Sequence, residues 1–288
     1  MEIKVAEHAG FCFGVKNAVD TAYSLADEAK PGTLVTLGPI IHNERVTGDL
    51  EKRGVRVVHD IDEIRPGMTV IIRSHGVPRR VIDELERRKI PYRDCTCPFV
   101  KKIHHIVEEH SERGEEIVIV GSSDHPEVQG ILGWTKNGGT VIETAAQAEV
   151  YKPEKSAVSV CVVAQTTFNS KKFQDFVEIF SKKEYDILVV NTICRATQER
   201  QEEAEALAEG SQAMIVIGGA DSSNSRKLYE ICKRKCANTF FIQSADALEE
   251  ISFDGLATLS ITAGASTPNT LIQEVLTVCQ RKRVLRSY

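Results

Sequence analysis

Short runs of aliphatic and β-branched residues alternate with amphipathic stretches along almost the whole chain. The runs at 33–37, 69–73, 117–120, 159–164, 187–191, 213–217 and 258–262 are nearly continuous in Val, Ile, Leu, Ala and Thr. They are too short for buried helices, so they predict strands covered on both faces. The stretches at 15–29, 99–111, 171–181, 196–209, 225–236 and 268–280 carry apolar residues at helical spacing and predict helices. Alternation of this kind predicts an α/β fold with mostly parallel sheets between helices. Ligands of such sheets gather at the C-terminal ends of the strands.

At those ends three landmarks recur in order. An extended segment ends at a cysteine just before a helix in AGFC (Cys12), CTC (Cys97) and NTIC (Cys194). A strand ending in glycine and a polar cluster follows: GPIIHNE (His42, Glu44), GSSDHPE (His125, Glu127) and GGADSSNS (Ser222, Ser223, Asn224). A further strand then ends in RSHG (Ser74, His75), AQTT (Gln165, Thr166, Thr167) or AGAST (Ser266, Thr267). Three such units predict internal pseudo-symmetry. The expected domains are 13–96, 97–192 and 193–288, with the N-terminal strand 1–12 completing the third. Their strand ends would meet at one cavity. Gly14, Gly38, Gly76 and Gly264 are expected at tight turns beside it.

Composition narrows the class. The chain has 288 residues, 42% hydrophobic and 27% charged, with net charge −5. Disorder and coiled coil are excluded, and more than one domain is expected. A general nucleic-acid binder would carry a basic face, so none is expected as a partner. No apolar run reaches the roughly 18 residues of a membrane span, and MEIKVAEHAGFC lacks the pattern of a signal peptide. A cytoplasmic protein without a membrane partner is expected. The basic end QRKRVLRSY reads as a solvated helix terminus.

Eight cysteines stand at 12, 95, 97, 161, 194, 232, 236 and 279. Disulfides are not the default in a cytoplasmic chain, and the spacing is not that of a zinc ribbon. Cys12, Cys97 and Cys194 each sit at a predicted helix start, where the thiolate is stabilised, and Pro98 fits a first helical position. Three thiolates suit zinc or an iron–sulfur cluster, and a set of three leaves a coordination position open. Cys161 and Cys279 read as core residues. Cys232 and Cys236 share a helix face and make a weak metal pair. Cys95 competes with Cys97 as ligand, because side chains two apart on an extended segment point the same way. His104 and His105 read as structural or exposed.

AEHAGFCFGV, LGPIIHN, IIRSHG, TCPFV, DHPEV, AQTT, NTIC-ATQ-RQ, SSNS and AGASTP occur in that order over nearly the whole chain. In these motifs the sequence resembles the 4-hydroxy-3-methylbut-2-enyl diphosphate reductases, the last enzymes of the methylerythritol phosphate route in isoprene biosynthesis. The resemblance implies three pseudo-symmetric α/β domains around a central 4Fe–4S cluster with three cysteine ligands, here Cys12, Cys97 and Cys194. It implies reductive removal of an allylic hydroxyl to give isopentenyl diphosphate and dimethylallyl diphosphate. The substrate hydroxyl oxygen would bind the unique iron, and a ferredoxin or flavodoxin would donate electrons. No Gly-rich dinucleotide fingerprint is present.

The resemblance further implies Glu127 as the acid that relays a proton to the leaving hydroxyl, with His125 and Thr166 near that end. A poor leaving group needs both a Lewis acid and a proton, and a carboxyl in a closed pocket can retain one. His42, His75, Ser222, Ser223, Asn224 and Ser266 would hold the diphosphate, helped by N–H groups at helix starts. A cradle without Lys or Arg is unusual, though His can adjust its charge. Two other readings remain: a zinc hydrolase with Glu127 as base, and a non-enzymatic redox or iron sensor with a labile cluster.

Overall fold

The computed structural model describes residues 1–154 and 159–284. Part of the basic C-terminal stretch thus lies outside the described residues. The chain runs β1 (Glu2–Val5), α1 (Phe13–Glu28), β2 (Leu34–Leu37), α2 (Glu44–Lys52), β3 (Val55–Val58), β4 (Thr69–Ile72), α3 (Arg79–Arg87), β5 (Tyr92–Asp94) and α4 (Pro98–Glu112). It continues β6 (Glu116–Val120), α5 (Pro126–Leu132), β7 (Thr140–Ile142), α6 (Ala145–Val150), β8 (Val160–Ala164), α7 (Ser170–Ser181) and β9 (Ile187–Val189). It ends α8 (Arg195–Glu209), β10 (Ala213–Ile217), α9 (Ser223–Lys235), β11 (Thr239–Ile242), β12 (Thr258–Ala263) and α10 (Asn269–Val284).

The strands form three four-stranded sheets, ordered β3-β2-β4-β5, β7-β6-β8-β9 and β11-β10-β12-β1. Every pairing is parallel. The orders are equivalent, so the three sheets share one topology. β1 comes from the other end of the chain and pairs with β12, Glu2 opposite Thr258 and Val5 opposite Ile261.

The central strands explain the apolar runs. Along β10, Ala213, Ile215 and Ile217 face a core that includes Leu271, Ile272 and Val275 of α10. Met214 and Val216 face Ala204 and Ala208 of α8 and Leu228 and Cys232 of α9. With both faces covered, each residue is buried whichever way it points. β6 and β8 are covered likewise on both faces. Each large aliphatic side chain so buried stabilises the fold by about 1.5–3 kcal/mol.

The sequence pattern misses β3, β5, β7 and β11. All are sheet edges, short and part-exposed: β5 is Tyr-Arg-Asp, and β3 carries an exposed Arg56. An edge strand is paired on one side and half-wet, so it needs no apolar run. Gly14 lies within the first turn of α1 rather than in a tight turn.

The chain divides into two compact units. One contains 1–15, 42–46 and 195–288, with the β11-β10-β12-β1 sheet; the other contains 16–41 and 47–194, with the other two sheets. No helix among the described residues is long and apolar enough to cross a membrane.

Candidate active site

The three cysteines at helix starts occupy equivalent positions in their sheets. The Cys97 N–H donates to the Ser74 carbonyl at 3.0 Å, the Cys194 N–H to Thr166 at 3.0 Å, and the Cys12 N–H to Ala265 at 3.3 Å. Each bond therefore ties a cysteine to the polar turn that ends the neighbouring strand: β5 lies beside β4, β9 beside β8 and β1 beside β12. Cys97 caps α4, with Pro98 at its first position; Cys194 and Cys12 directly precede α8 and α1.

Burial then sorts the thiols. Cys12, Cys97 and Cys194 are partly exposed, whereas the other five are buried. Burial pushes the Cys95 thiol up, and Asp94 adds to it. Cys161 and Cys232 are pushed up to about 12, and Cys279 to about 11, by burial above all. The thiolate is the form that binds metal, so these buried groups are poor ligands. Cys95 does not share an outlook with Cys97. The strand ends at Asp94, and Cys95 turns inward to a hydrogen bond with Thr21 of α1. Cys232 and Cys236 donate to the carbonyls of Ala204 and Ser211, which leaves no basis for a metal pair. Cys12, Cys97 and Cys194 are thus the thiols that stay accessible.

In the unit 16–41 and 47–194, Glu127 and its expected neighbours meet directly. Glu127 lies in the first turn of α5 and is 1% exposed. The Thr166 N–H donates to its Oε1 at 2.6 Å, and the Thr166 hydroxyl donates to its Oε2 at 2.7 Å. His125 is the N-cap of α5, and its Nδ1 accepts from the Glu127 N–H at 3.1 Å. That bond assigns the proton of a neutral imidazole to Nε2. The His75 ring meets His125 edge to face, with centroids 5.4 Å apart. Thr167 accepts from the Gln165 amide, whose oxygen takes the Ser122 N–H.

Behind the His75 turn, His104 is buried and stacks on Trp134 with centroids 5.0 Å apart. A Cβ on Gly76 would stand 2.7 Å from its ring, and the Trp134 indole N–H donates to the Val77 carbonyl at 2.9 Å. Burial pushes the His104 pKa down to about 4, with Asp94 opposing and His105 and Lys101 adding. The unfolded chain therefore binds a proton that the native state refuses. Stability is full above about pH 6.5 and falls as pH drops towards 4. This one group is expected to cost the wild type about 2 kcal/mol between pH 7 and pH 5. Urea unfolding at the two pH values, compared with His104→Leu, measures it. An unchanged pH slope in the variant would refute the assignment.

In the other unit, Ser222 caps α9. Its Oγ accepts from the Ser225 hydroxyl at 2.9 Å and the Ser266 hydroxyl at 3.3 Å. Ser266 also lies 3.3 Å from the His42 carbonyl. A Cβ on Gly219 would stand 2.5 Å from that carbonyl, so only glycine admits the approach. At Gly218 and Gly264 a Cβ would overlap Ser225 instead. Asn224 is 4% exposed, and neither its amide nitrogen nor its oxygen has a hydrogen-bond partner among the described residues. An orphaned buried amide costs about 1–3 kcal/mol per polar group, a cost that a polar ligand removes. Ser223 is half-exposed in the first turn of α9.

Two supports escape the sequence reading. Ser225, the last serine of SSNS, is fully buried and braces Ser222. Arg200 of α8 is 3% exposed and donates to the carbonyls of His8 and Gly10, each at 2.8 Å. Glu203, one turn on, accepts the N–H groups of Glu7 and His8. Together they fix the loop that leads to Cys12. The only signal for Arg200 is its place in the NTIC-ATQ-RQ motif.

The family described as LytB protein matches residues 3–280. The 4-hydroxy-3-methylbut-2-enyl diphosphate reductase of Caldanaerobacter subterraneus subsp. tengcongensis is 44% identical over 278 residues, 96% of each chain. That of Clostridioides difficile is 43% identical over 277 residues, 96% of this chain and 98% of the relative. A solved (E)-4-hydroxy-3-methyl-but-2-enyl diphosphate reductase, the terminal enzyme of the non-mevalonate pathway, is 42% identical, with a TM-score of 0.69. The alignment covers 98% of this chain and 100% of that one. The structure of E-1-hydroxy-2-methyl-but-2-enyl-4-diphosphate reductase from Plasmodium falciparum, at 24% identity, shares the fold with a TM-score of 0.89, over 96% of this chain and 87% of that one. The chain is an enzyme of the LytB family.

Proposed function

We propose that this enzyme reductively dehydroxylates 4-hydroxy-3-methylbut-2-enyl diphosphate to isopentenyl and dimethylallyl diphosphates. The C–O bond breaks, a C–H bond forms, and two electrons and two protons are consumed as water leaves. Cys12, Cys97 and Cys194 would hold a 4Fe–4S cluster. The supporting fact is that these three alone of the eight thiols escape burial. When bound, the cluster supplies the electrons and a Lewis-acidic iron with an open position.

The observation that carries the reading is the placement of Thr166. Its N–H and hydroxyl both grip the Glu127 carboxyl, while its carbonyl accepts the N–H of Cys194. One residue thus joins the proton donor to a cluster ligand. With the Glu127 carboxyl protonated and donating, the same contact would run in the opposite sense: Thr166 Oγ1 would take the carboxyl proton while its own hydroxyl proton passes to the leaving hydroxyl, which departs as water. His125, with Nε2–H available, would orient the hydroxyl end. His42, His75, Ser222, Ser223, Asn224 and Ser266 would hold the diphosphate, the orphaned Asn224 amide being the clearest place for a phosphoryl oxygen. Domains at 13–96, 97–192 and 193–288, with 1–12 in the third, a cytoplasmic location and a ferredoxin or flavodoxin donor belong to the same reading.

Anaerobic purification with iron and sulfide assays, followed by turnover of the allylic diphosphate with a reductant, tests it. About four irons and four sulfides per chain, with both five-carbon diphosphates formed, is the expected result. Zinc without sulfide would replace this reading by a hydrolase. A cluster that ignores the diphosphate would leave a sensor.

A further inference from the structure

Arg73 directly follows β4 and precedes the Ser74-His75-Gly76 turn. Its side chain folds over the end of β2: a Cβ on Gly38 would stand 3.0 Å from Cζ. Gly38 has φ +71°, a conformation that reserves the position for glycine. The guanidinium is largely withdrawn from water, and its buried Nε has no hydrogen-bond partner among the described residues. Burial alone moves its pKa, downward, and no neighbouring carboxylate among those residues opposes it. Other arginines of the same unit differ: Arg53, Arg79 and Arg88 each pair with two carboxylates.

A partly desolvated cation with no counter-charge among the described residues is unfavourable. The cost disappears when an anion arrives. Arg73 stands at the C-terminal edge of a parallel sheet, where ligands bind, two residues before His75. A planar fork of five donors suits a phosphoryl group better than any other side chain. The residues proposed above for the diphosphate are imidazoles, hydroxyls and an amide, with no permanent cation.

We propose that Arg73 binds a phosphoryl anion at the edge of the first sheet, and that its source is the diphosphate of the substrate. The source rests on the function proposed above; the anion site does not. Calorimetric titration of the anaerobic holoenzyme with orthophosphate, inorganic diphosphate and the allylic diphosphate tests both. Arg73→Met is expected to weaken inorganic and allylic diphosphate about 10- to 100-fold, the loss of one charge-assisted contact. Arg73→Lys keeps the charge without the fork and is expected to fall between. Without anions, the unfolding midpoint of Arg73→Met is expected not to drop, because the substitution removes an unpaired cation.

Wild-type affinity for both diphosphates in Arg73→Met would overturn the proposal. So would weakened inorganic anions with unchanged allylic diphosphate, because the site would then lie outside the substrate's. Should Arg73→Met fail to fold, wild-type affinity in Arg73→Lys for both diphosphates would likewise count against the fork. If the wild type does not reduce the allylic diphosphate but Arg73→Met still loses inorganic diphosphate, the enzyme reading fails and the anion site stands.

Discussion

Glu127→Gln is expected to lower turnover by about 10²–10⁴-fold, the range supplied by a positioned general acid, while iron content and substrate affinity stay near wild type. The geometry makes the substitution a mild one for the fold. The glutamine oxygen can still accept the Thr166 N–H, and its amide can donate to the Thr166 hydroxyl in place of the present 2.7 Å bond. What a glutamine lacks is an acidic proton to relay. The carboxyl is 1% exposed, so bulk water has poor access to replace it. Steady-state turnover, iron analysis and calorimetry on one preparation separate the outcomes. Turnover within tenfold of wild type would remove Glu127 from the proton path. Loss of affinity instead of turnover would make it a binding group.

Cys194→Ala is expected to abolish turnover together with the cluster, so that iron and sulfide fall well below about four of each per chain. Cys95→Ala is the informative control, because it removes a thiol only two residues from Cys97. Cys95 is buried, its thiol pushed up by that burial, and its loss should leave the iron content unchanged. The far-ultraviolet spectrum of each variant reports whether the fold survives. A Cys194→Ala protein with a full complement of iron, or a folded Cys95→Ala protein without any, would overturn the ligand set.

How far each feature could be read in advance follows from the range of the forces that make it. The central strands at Ala213–Ile217 and Val160–Ala164 were legible because burial on both faces demands an unbroken apolar run. Tyr92–Asp94 was not, because a wet edge strand is chosen by its neighbour β4 rather than by its own residues. The candidate acid was legible as a glutamate after His125 and Pro126. Its grip by Thr166, 39 residues away, was not. That Arg73 meets no carboxylate among the described residues was also hidden, because a sequence shows a charge but not what lies beside it.

By itself the sequence determined the parallel α/β class, the threefold recurrence of cysteine and polar turn, and a family resemblance spread over nearly the whole chain. Those features are carried by residue order and short-range periodicity, so they need no coordinates. Only the tertiary structure decided which thiols stay accessible, because burial depends on what packs over each one: Thr21 of α1 reaches Cys95, while Cys97 two residues later caps a helix and stays partly exposed. That the N-terminal strand completes the third unit was expected from the sequence; its partner β12 and its register, Glu2 opposite Thr258, came from the structure. Pairing across that separation is selected by the fit of complementary faces and hydrogen-bonding edges, which no local stretch encodes.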